Sequence, residues 1–202
     1  MTGLERATVV PVDDATVIEG SWREPSRFAI LFDRHAPLIY RYIARRVGYD
    51  AIDDLVAETF VGAFAGRLGY NLTYRDAKPW LYGIATNVIG SYRRDELRQF
   101  RISQAVRHEI SLLGHADRTA ADITAGSMHE TLGTALAALA AGDRDVLVLV
   151  AWEQLTYAEV ARALDIPVGT VRSRLHRARN QARRALAQSK SQSTIEEVLH
   201  RD

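Results

Sequence analysis

From Thr156 to Leu186 the chain carries a helix start, a turn and a second helix in a register that few folds accommodate. Thr156-Tyr-Ala-Glu159 is a capping box, in which the Thr hydroxyl accepts the N3 amide proton and the Glu carboxylate reaches back to the cap. Val160, Ala161 and Leu164 give that first helix an apolar side, and Asp165-Ile-Pro-Val-Gly169 makes a turn. The second helix, from Thr170, places Val171, Leu175, Ala178, Ala182 and Leu186 at spacings of 4, 3, 4 and 4, which defines one inner face. A helix-turn-helix needs a small residue where the helices cross, a residue tolerant of a left-handed turn, and a branched apolar anchor. Ala161, Asp165 and Val171 stand at those offsets, with Asp in place of the usual Gly.

The charge follows the same register. The net charge is only +1, yet residues 170–186 hold six arginines and no acid, while residues 1–24 carry five acids against two arginines. A basic stripe in a neutral chain fits nucleic-acid binding, and it also fits a solvated helix face. The register of the inner face favours the first. With Val171 and Leu175 buried, Arg172, Ser173, His176 and Arg177 project from the N-terminal half of the second helix, the end that enters a major groove. Arginine there pairs with guanine or clamps phosphate.

The rest of the chain reads as all-α. Phe28, Leu31, Phe32, Leu38, Ile39, Tyr42 and Ile43 recur at helical spacing before Gly48. A second helix is expected over 52–64, with Leu55, Val56, Thr59, Phe60 and Ala63 inward, then a loop over 66–78 rich in Gly and Asn. Pro79 suits the first turn of a helix from Trp80 to Arg94 that extends toward Arg101. The run Val146-Leu-Val-Leu-Val150 fits a buried strand by propensity. Its helical neighbours, with Asp143 as N-cap, favour a buried helix. Two small helical domains are thus expected, over 26–98 and 129–187. A flexible linker over 99–128 joins them, with a mobile N-terminal arm over 1–25 and a C-terminal tail over 188–202.

No apolar run approaches the length of a membrane span. The N-terminus lacks a secretion signal. The absence of cysteine excludes disulfides and thiolate metal sites. A cytoplasmic protein without membrane insertion is expected. The six histidines are scattered and form no metal pair, and neither a Gly-rich phosphate loop nor a nucleophile triad stands out. No cofactor, metal or catalytic residue is expected, and the chain is read as a binding protein, not an enzyme.

The string Leu155-Thr-Tyr-Ala-Glu-Val-Ala-Arg-Ala-Leu164, with Pro167-Val-Gly-Thr-Val-Arg-Ser-Arg-Leu-His-Arg-Ala-Arg179, closely resembles region 4 of extracytoplasmic-function sigma factors, of the sigma-70 family. Asp53-Asp-Leu-Val-Ala-Glu-Thr-Phe60, Pro79-Trp-Leu-Tyr-Gly-Ile-Ala-Thr-Asn87 and Tyr92-Arg-Arg94 resemble region 2 of the same family. The resemblance implies an alternative sigma factor that binds core RNA polymerase and recognises and melts a promoter. It implies −35 contacts from Thr170, Arg172, Ser173, Arg174, His176 and Arg177. For the −10 element it implies Asn71, Tyr74, Trp80, Asn87, Ser91, Arg93 and Arg94, with a base captured by the loop that holds Tyr70, Asn71, Tyr74 and Arg75. Trp80 equally suits a core anchor. Asp53, Asp54 and Glu58 would meet the clamp of the β′ subunit, and acids in a first turn also match the helix dipole. The flap of the β subunit and promoter DNA complete the implied partners, with an anti-sigma factor as a further candidate. Departures from the family pattern at Ala57, Ser91, Ala140 and Val150 bear on promoter specificity. A rival is an ordinary helix-turn-helix regulator, for which the region 2 matches would be coincidence.

Overall fold

The computed structural model describes residues 12–47, 49–111 and 136–199, which form seven α-helices and no strand. They are α1 (Asp14–Arg23), α2 (Ala29–Ala44), α3 (Ile52–Gly66), α4 (Lys78–Ser111), α5 (Ala141–Ala151), α6 (Tyr157–Leu164) and α7 (Val168–Leu199). The chain divides into two compact units at Ile89 and Gly90, a point inside α4.

In the first unit, helical spacing places Leu31, Ile39, Tyr42 and Ile43 of α2 against Ile52, Leu55, Phe60 and Ala63 of α3 and Leu81, Tyr82, Ala85 and Ile89 of α4, all buried. Each large side chain buried there stabilises the unit by roughly 1.5–3 kcal/mol relative to exposure. Several polar groups inside are matched. The Tyr42 and Thr86 hydroxyls are 2.6 Å apart, and Thr86 also donates to the Tyr82 carbonyl. Tyr42 and Tyr82 meet edge to face, with ring centres 5.0 Å apart. Thr59 satisfies its hydroxyl on the Leu55 carbonyl, so a polar residue sits on the inner face of α3 without an orphaned group.

The expectation of a mobile arm through residue 25 fails for its second half. Residues 14–23 are α1, capped by Asp13, whose carboxylate accepts the Thr16 amide proton at 2.9 Å. Its buried residues are Asp14, Ala15, Val17, Ile18 and Ser21. An acid and a hydroxyl interrupt the apolar pattern, so periodicity of apolar residues alone could not reveal the helix. Residues 1–11 lie outside the described part.

The linker boundary also moves. Residues 99–111 continue α4, and 112–135 lie outside the described part. The expected tail begins as a continuation of α7, which reaches Leu199.

In the second unit, Val146 to Val150 is helical as expected, with Val146, Val148 and Leu149 buried. Asp143 is not its N-cap. That position is Ala140, and Asp143 lies within the first turn with its side chain buried, taken up by a partner on α7. Instead, the Arg144 guanidinium donates to the carbonyls of Leu136, Ala137 and Leu139 and so ties down the preceding turn. Val160, Val171, Leu175 and Ala178 close the core between α5, α6 and α7.

Candidate nucleic-acid and polymerase interfaces

The helix-turn-helix forms from the residues expected to form it. Thr156 and Glu159 make both halves of the capping box. Asp165 adopts φ 50°, ψ 51°, left-handed, and the Ile166 amide donates to the Ala161 carbonyl at 3.0 Å, which ends α6 in a Schellman pattern. Pro167 then carries the first carbonyl of the next helix, accepting from Thr170 and Val171. Val171 is fully buried and Ala161 nearly so, which fixes the rotation of α7.

That rotation sorts the arginines. At 100° per residue, Arg172, His176, Arg179 and Arg183 share one side of α7, and Ser173, Asn180 and Arg184 lie outermost. Arg172, Ser173, His176, Arg179, Arg183 and Arg184 are exposed. Arg174, Arg177 and Gln181 occupy the other side, which faces the start of α5. Arg177 forms a two-pronged ion pair with Asp143, Nε to Oδ2 at 3.0 Å and Nη2 to Oδ1 at 2.9 Å. Hydrogen bonding and charge from Asp143 raise the Arg177 pKa further above its ordinary value. The Arg174 guanidinium lies over Gly142, where an added Cβ would stand 2.7 Å from Nη1. Gln181 donates to the Ala138 carbonyl. So Thr170, Arg172, Ser173 and His176 stand on the free part of the helix, with Thr170 half-buried. Arg174 and Arg177 are drawn toward α5. Arg179 and Arg183 extend the free side by one and two turns. Their spacing from Arg172, i+7 and i+11, was the available signal.

In the first unit, the loop between α3 and α4 is built around Tyr70. Its buried ring tilts against Trp80 with centres 4.9 Å apart, and its hydroxyl donates to the carbonyls of Tyr74 at 2.7 Å and Asp76 at 3.2 Å. Asn71 Oδ1 accepts from the Thr73 amide and hydroxyl, an Asx turn at the loop tip. Asn71, Tyr74 and Arg75 are exposed, and Tyr74 is 39% accessible although its carbonyl is anchored. Trp80 is half-buried, so it supports the loop from beneath and keeps an accessible edge. Farther along α4, Asn87 is exposed. Ser91 accepts from the Arg94 guanidinium at 3.0 Å; Ser91 and Arg93 are half-buried and Arg94 exposed.

Asp53, Asp54 and Glu58 are exposed on α3, whereas Leu55 and Phe60 are core, as expected. Asp53 borders an open apolar groove of about 370 Å³ lined by Phe32, Pro37 and Tyr40 of α2 and Val56 and Ala57 of α3. Phe32 is 43% exposed and meets Phe60 edge to face, with ring centres 4.8 Å apart. Phe32 shares the helical spacing of the buried residues of α2, yet it stands at the rim of this groove.

The matches to known proteins span both helical parts of the chain. The model of Sigma-70 region 2 matches residues 31–99, and that of Sigma-70, region 4 matches residues 129–181. The ECF RNA polymerase sigma factor SigL of Mycobacterium tuberculosis is 31% identical over 154 residues, covering 76% of this chain and 85% of the relative. The RNA polymerase sigma factor YlaC of Bacillus subtilis is 28% identical over 167 residues, covering 82% and 95%. Among solved structures, the sigma factor RpoE of Bartonella quintana, in complex with the anti-sigma factor NepR, matches with TM-score 0.60 at 22% identity, covering 79% of this chain and 96% of that one. CnrH, in complex with the cytosolic domain of CnrY, matches with TM-score 0.57 at 24% identity, covering 86% and 97%. Among the described residues, no helix is long and apolar enough to cross a membrane.

Proposed function

The chain belongs to the extracytoplasmic-function group of the sigma-70 family and is an alternative sigma factor for promoter recognition at transcription initiation, and from this we propose how its residues divide the work. The N-terminal half of α7 enters the major groove of the −35 element. Arg172, Ser173 and His176 read base edges there, Thr170 meets the backbone at the helix start, and Arg179 and Arg183 follow phosphates. The observation that carries this assignment is the rotation of α7, which leaves Arg172 and His176 outward while Asp143 holds Arg177. Arg174 and Arg177 then act first by setting the pitch of α7 on α5. They reach DNA only where the duplex competes with Asp143 and the start of α5.

The loop around Asn71 and Tyr74 receives a base of the melted −10 element. Trp80 supports that loop, and Asn87, Ser91, Arg93 and Arg94 of α4 follow the opened strand. A loop already shaped by Tyr70 and an Asx turn loses little entropy when it binds, which supports this role. Asp53, Asp54 and Glu58 dock on the basic clamp of the β′ subunit, and the adjoining groove with Phe32 and Tyr40 takes an apolar side chain from the same partner. An acidic rim beside an exposed aromatic supports docking over a dipole match alone, which would not need the groove. The second unit meets the flap of the β subunit. An anti-sigma factor is a further partner, and the work is done in the cytoplasm.

The test is to add the purified protein to core RNA polymerase free of any sigma factor and map the 5′ ends of transcripts made from genomic fragments. Paired upstream elements should emerge at new start sites. Arg172→Ala should abolish dependence on the upstream element and Asn71→Ala/Tyr74→Ala dependence on the downstream one. Start sites that survive both sets unchanged would overturn the residue assignment.

A further inference from the structure

Helix α1 precedes the residues matched by region 2, which begin at 31, yet it brackets the loop assigned above to the −10 element. At one end, Trp22 Nε1–H donates to the Arg67 carbonyl at 3.1 Å, three residues before Tyr70. At the other end, the Asp14 amide donates to the Arg75 carbonyl at 3.0 Å, and Asp14 Oδ2 accepts the Ala77 amide proton at 2.9 Å. The Asp14 carboxylate is 4% exposed. It also accepts from His35 Nε2 at 2.8 Å and from the Arg34 guanidinium, both on α2, and Arg34 donates in addition to the Val12 carbonyl. The loop backbone is thus held from within by the Tyr70 hydroxyl and from outside by Asp14.

A buried carboxylate is an expensive way to pack a helix. An apolar residue of similar size would serve packing as well or better. The His35 ring is also buried, and its Nδ1 has no hydrogen-bond partner, a further cost of the same cluster. What the carboxylate adds over an apolar side chain is direction. It accepts from the Ala77 amide, His35 and Arg34 at set angles, so it specifies where Ala77 lies relative to α2. Burial pushes the Asp14 pKa up, but hydrogen bonds from His35, the Ala77 amide and Arg34 outweigh that and hold it below the ordinary carboxylate value. The group is therefore ionised at neutral pH.

We propose that Asp14 is a positioning residue for −10 recognition: by binding the backbone at Arg75 and Ala77 it sets the loop that presents Asn71 and Tyr74 to the extruded base. This rests on the assignment of that loop to the −10 element. Asp14 touches no DNA; it acts through the loop, and α1 belongs to the promoter-reading apparatus although it lies outside the matched region.

The test uses holoenzyme assembled from the full chain and core polymerase. The probe is a forked promoter fragment copied from a mapped start site, with 2-aminopurine at successive non-template positions of the downstream element. Its fluorescence rises when the base leaves the stack. Asp14→Ala keeps the main-chain bond to the Arg75 carbonyl and removes the one from the Ala77 amide. It should weaken capture of the fork about tenfold, the loss of one directed hydrogen bond to a charged acceptor, and should abolish the fluorescence rise. Asp14→Asn, which keeps one acceptor oxygen, should restore part of both. Polymerase capture and binding to duplex carrying only the upstream element should be unchanged. In the Tyr74→Ala background, Asp14→Ala should have no further effect on the fork. Full additivity with Tyr74→Ala, or equal loss of polymerase capture, would overturn the proposal by showing general destabilisation of the first unit. If Asn71→Ala and Tyr74→Ala weaken the fork but Asp14→Ala does not, the loop assignment stands and the role of Asp14 falls. If none of the three has any effect, both fall.

Discussion

Asp165 is the sharpest test of the helix-turn-helix geometry, because its backbone is left-handed at φ 50°, ψ 51° and its side chain is exposed. An L-residue with a Cβ meets the following carbonyl there, at a cost of about 1–2 kcal/mol, which Asp bears better than most. Asp165→Gly removes that strain, and glycine's larger unfolded-state entropy offsets about 0.5–1 kcal/mol of the gain. The net expectation is a stabilisation of about 0.5 kcal/mol. Asp165→Val adds a branched Cβ and should destabilise by about 1–2 kcal/mol, so the two variants should differ by about 2 kcal/mol, or roughly 30-fold in the opening equilibrium. The chain has two compact units, so a single melting curve would mix them. Hydrogen exchange read on peptides covering 141–185 isolates the second unit. Glycine should raise protection there, valine should lower it, and peptides from 29–66 should not change. If valine were as well protected as glycine, the residue would not be left-handed and the register derived for α7 would be wrong.

Further outcomes follow from the same structure. Thr156→Ala removes the capping box and should cost the second unit about 1 kcal/mol, read by exchange in peptides covering α6. Arg172→Ala should reduce the slope of log affinity against log salt for the upstream duplex by about 1. Arg177→Ala should weaken binding with little change in slope, because Arg177 spends its charge on Asp143; measurement across a salt series separates the two. Phe32→Ala should reduce capture of core polymerase by an amount comparable to Asp53→Asn, while leaving duplex binding intact in a mobility-shift assay. The folded-state pKa of Asp14 lies below its unfolded value of about 3.8. Its ionised form therefore stabilises the first unit fully above that pH, and the contribution is lost as pH falls through the folded value. The stability gap between the wild-type chain and Asp14→Asn should hold from pH 7 to 5 and close only below about 4, followed by exchange in peptides from 29–66.

The amino-acid sequence by itself determined the helical class, the capping box, the turn at Asp165 and the inward face of α7. Each depends on neighbours within a few residues, and local hydrogen bonding and periodicity record such neighbours faithfully. It also singled out the basic stripe, since charge is a property of composition. It could not divide that stripe. Whether Arg177 faces DNA or Asp143, 34 residues away, depends on how α7 is rotated against α5, and only packing sets that. The same limit hid α1. Its buried face holds Ser21, which donates to the Ile18 carbonyl, and Asp14, whose partners are Arg34, His35 and the backbone of a loop more than 60 residues distant, so apolar periodicity does not mark it as ordered. Phe32 fits the apolar spacing of α2 and still stands at a groove, because an aromatic at the edge of a helix's inner face is buried only if a neighbour covers it. Local chemistry decided which elements form; long-range contacts decided which of their side chains are left to meet a partner.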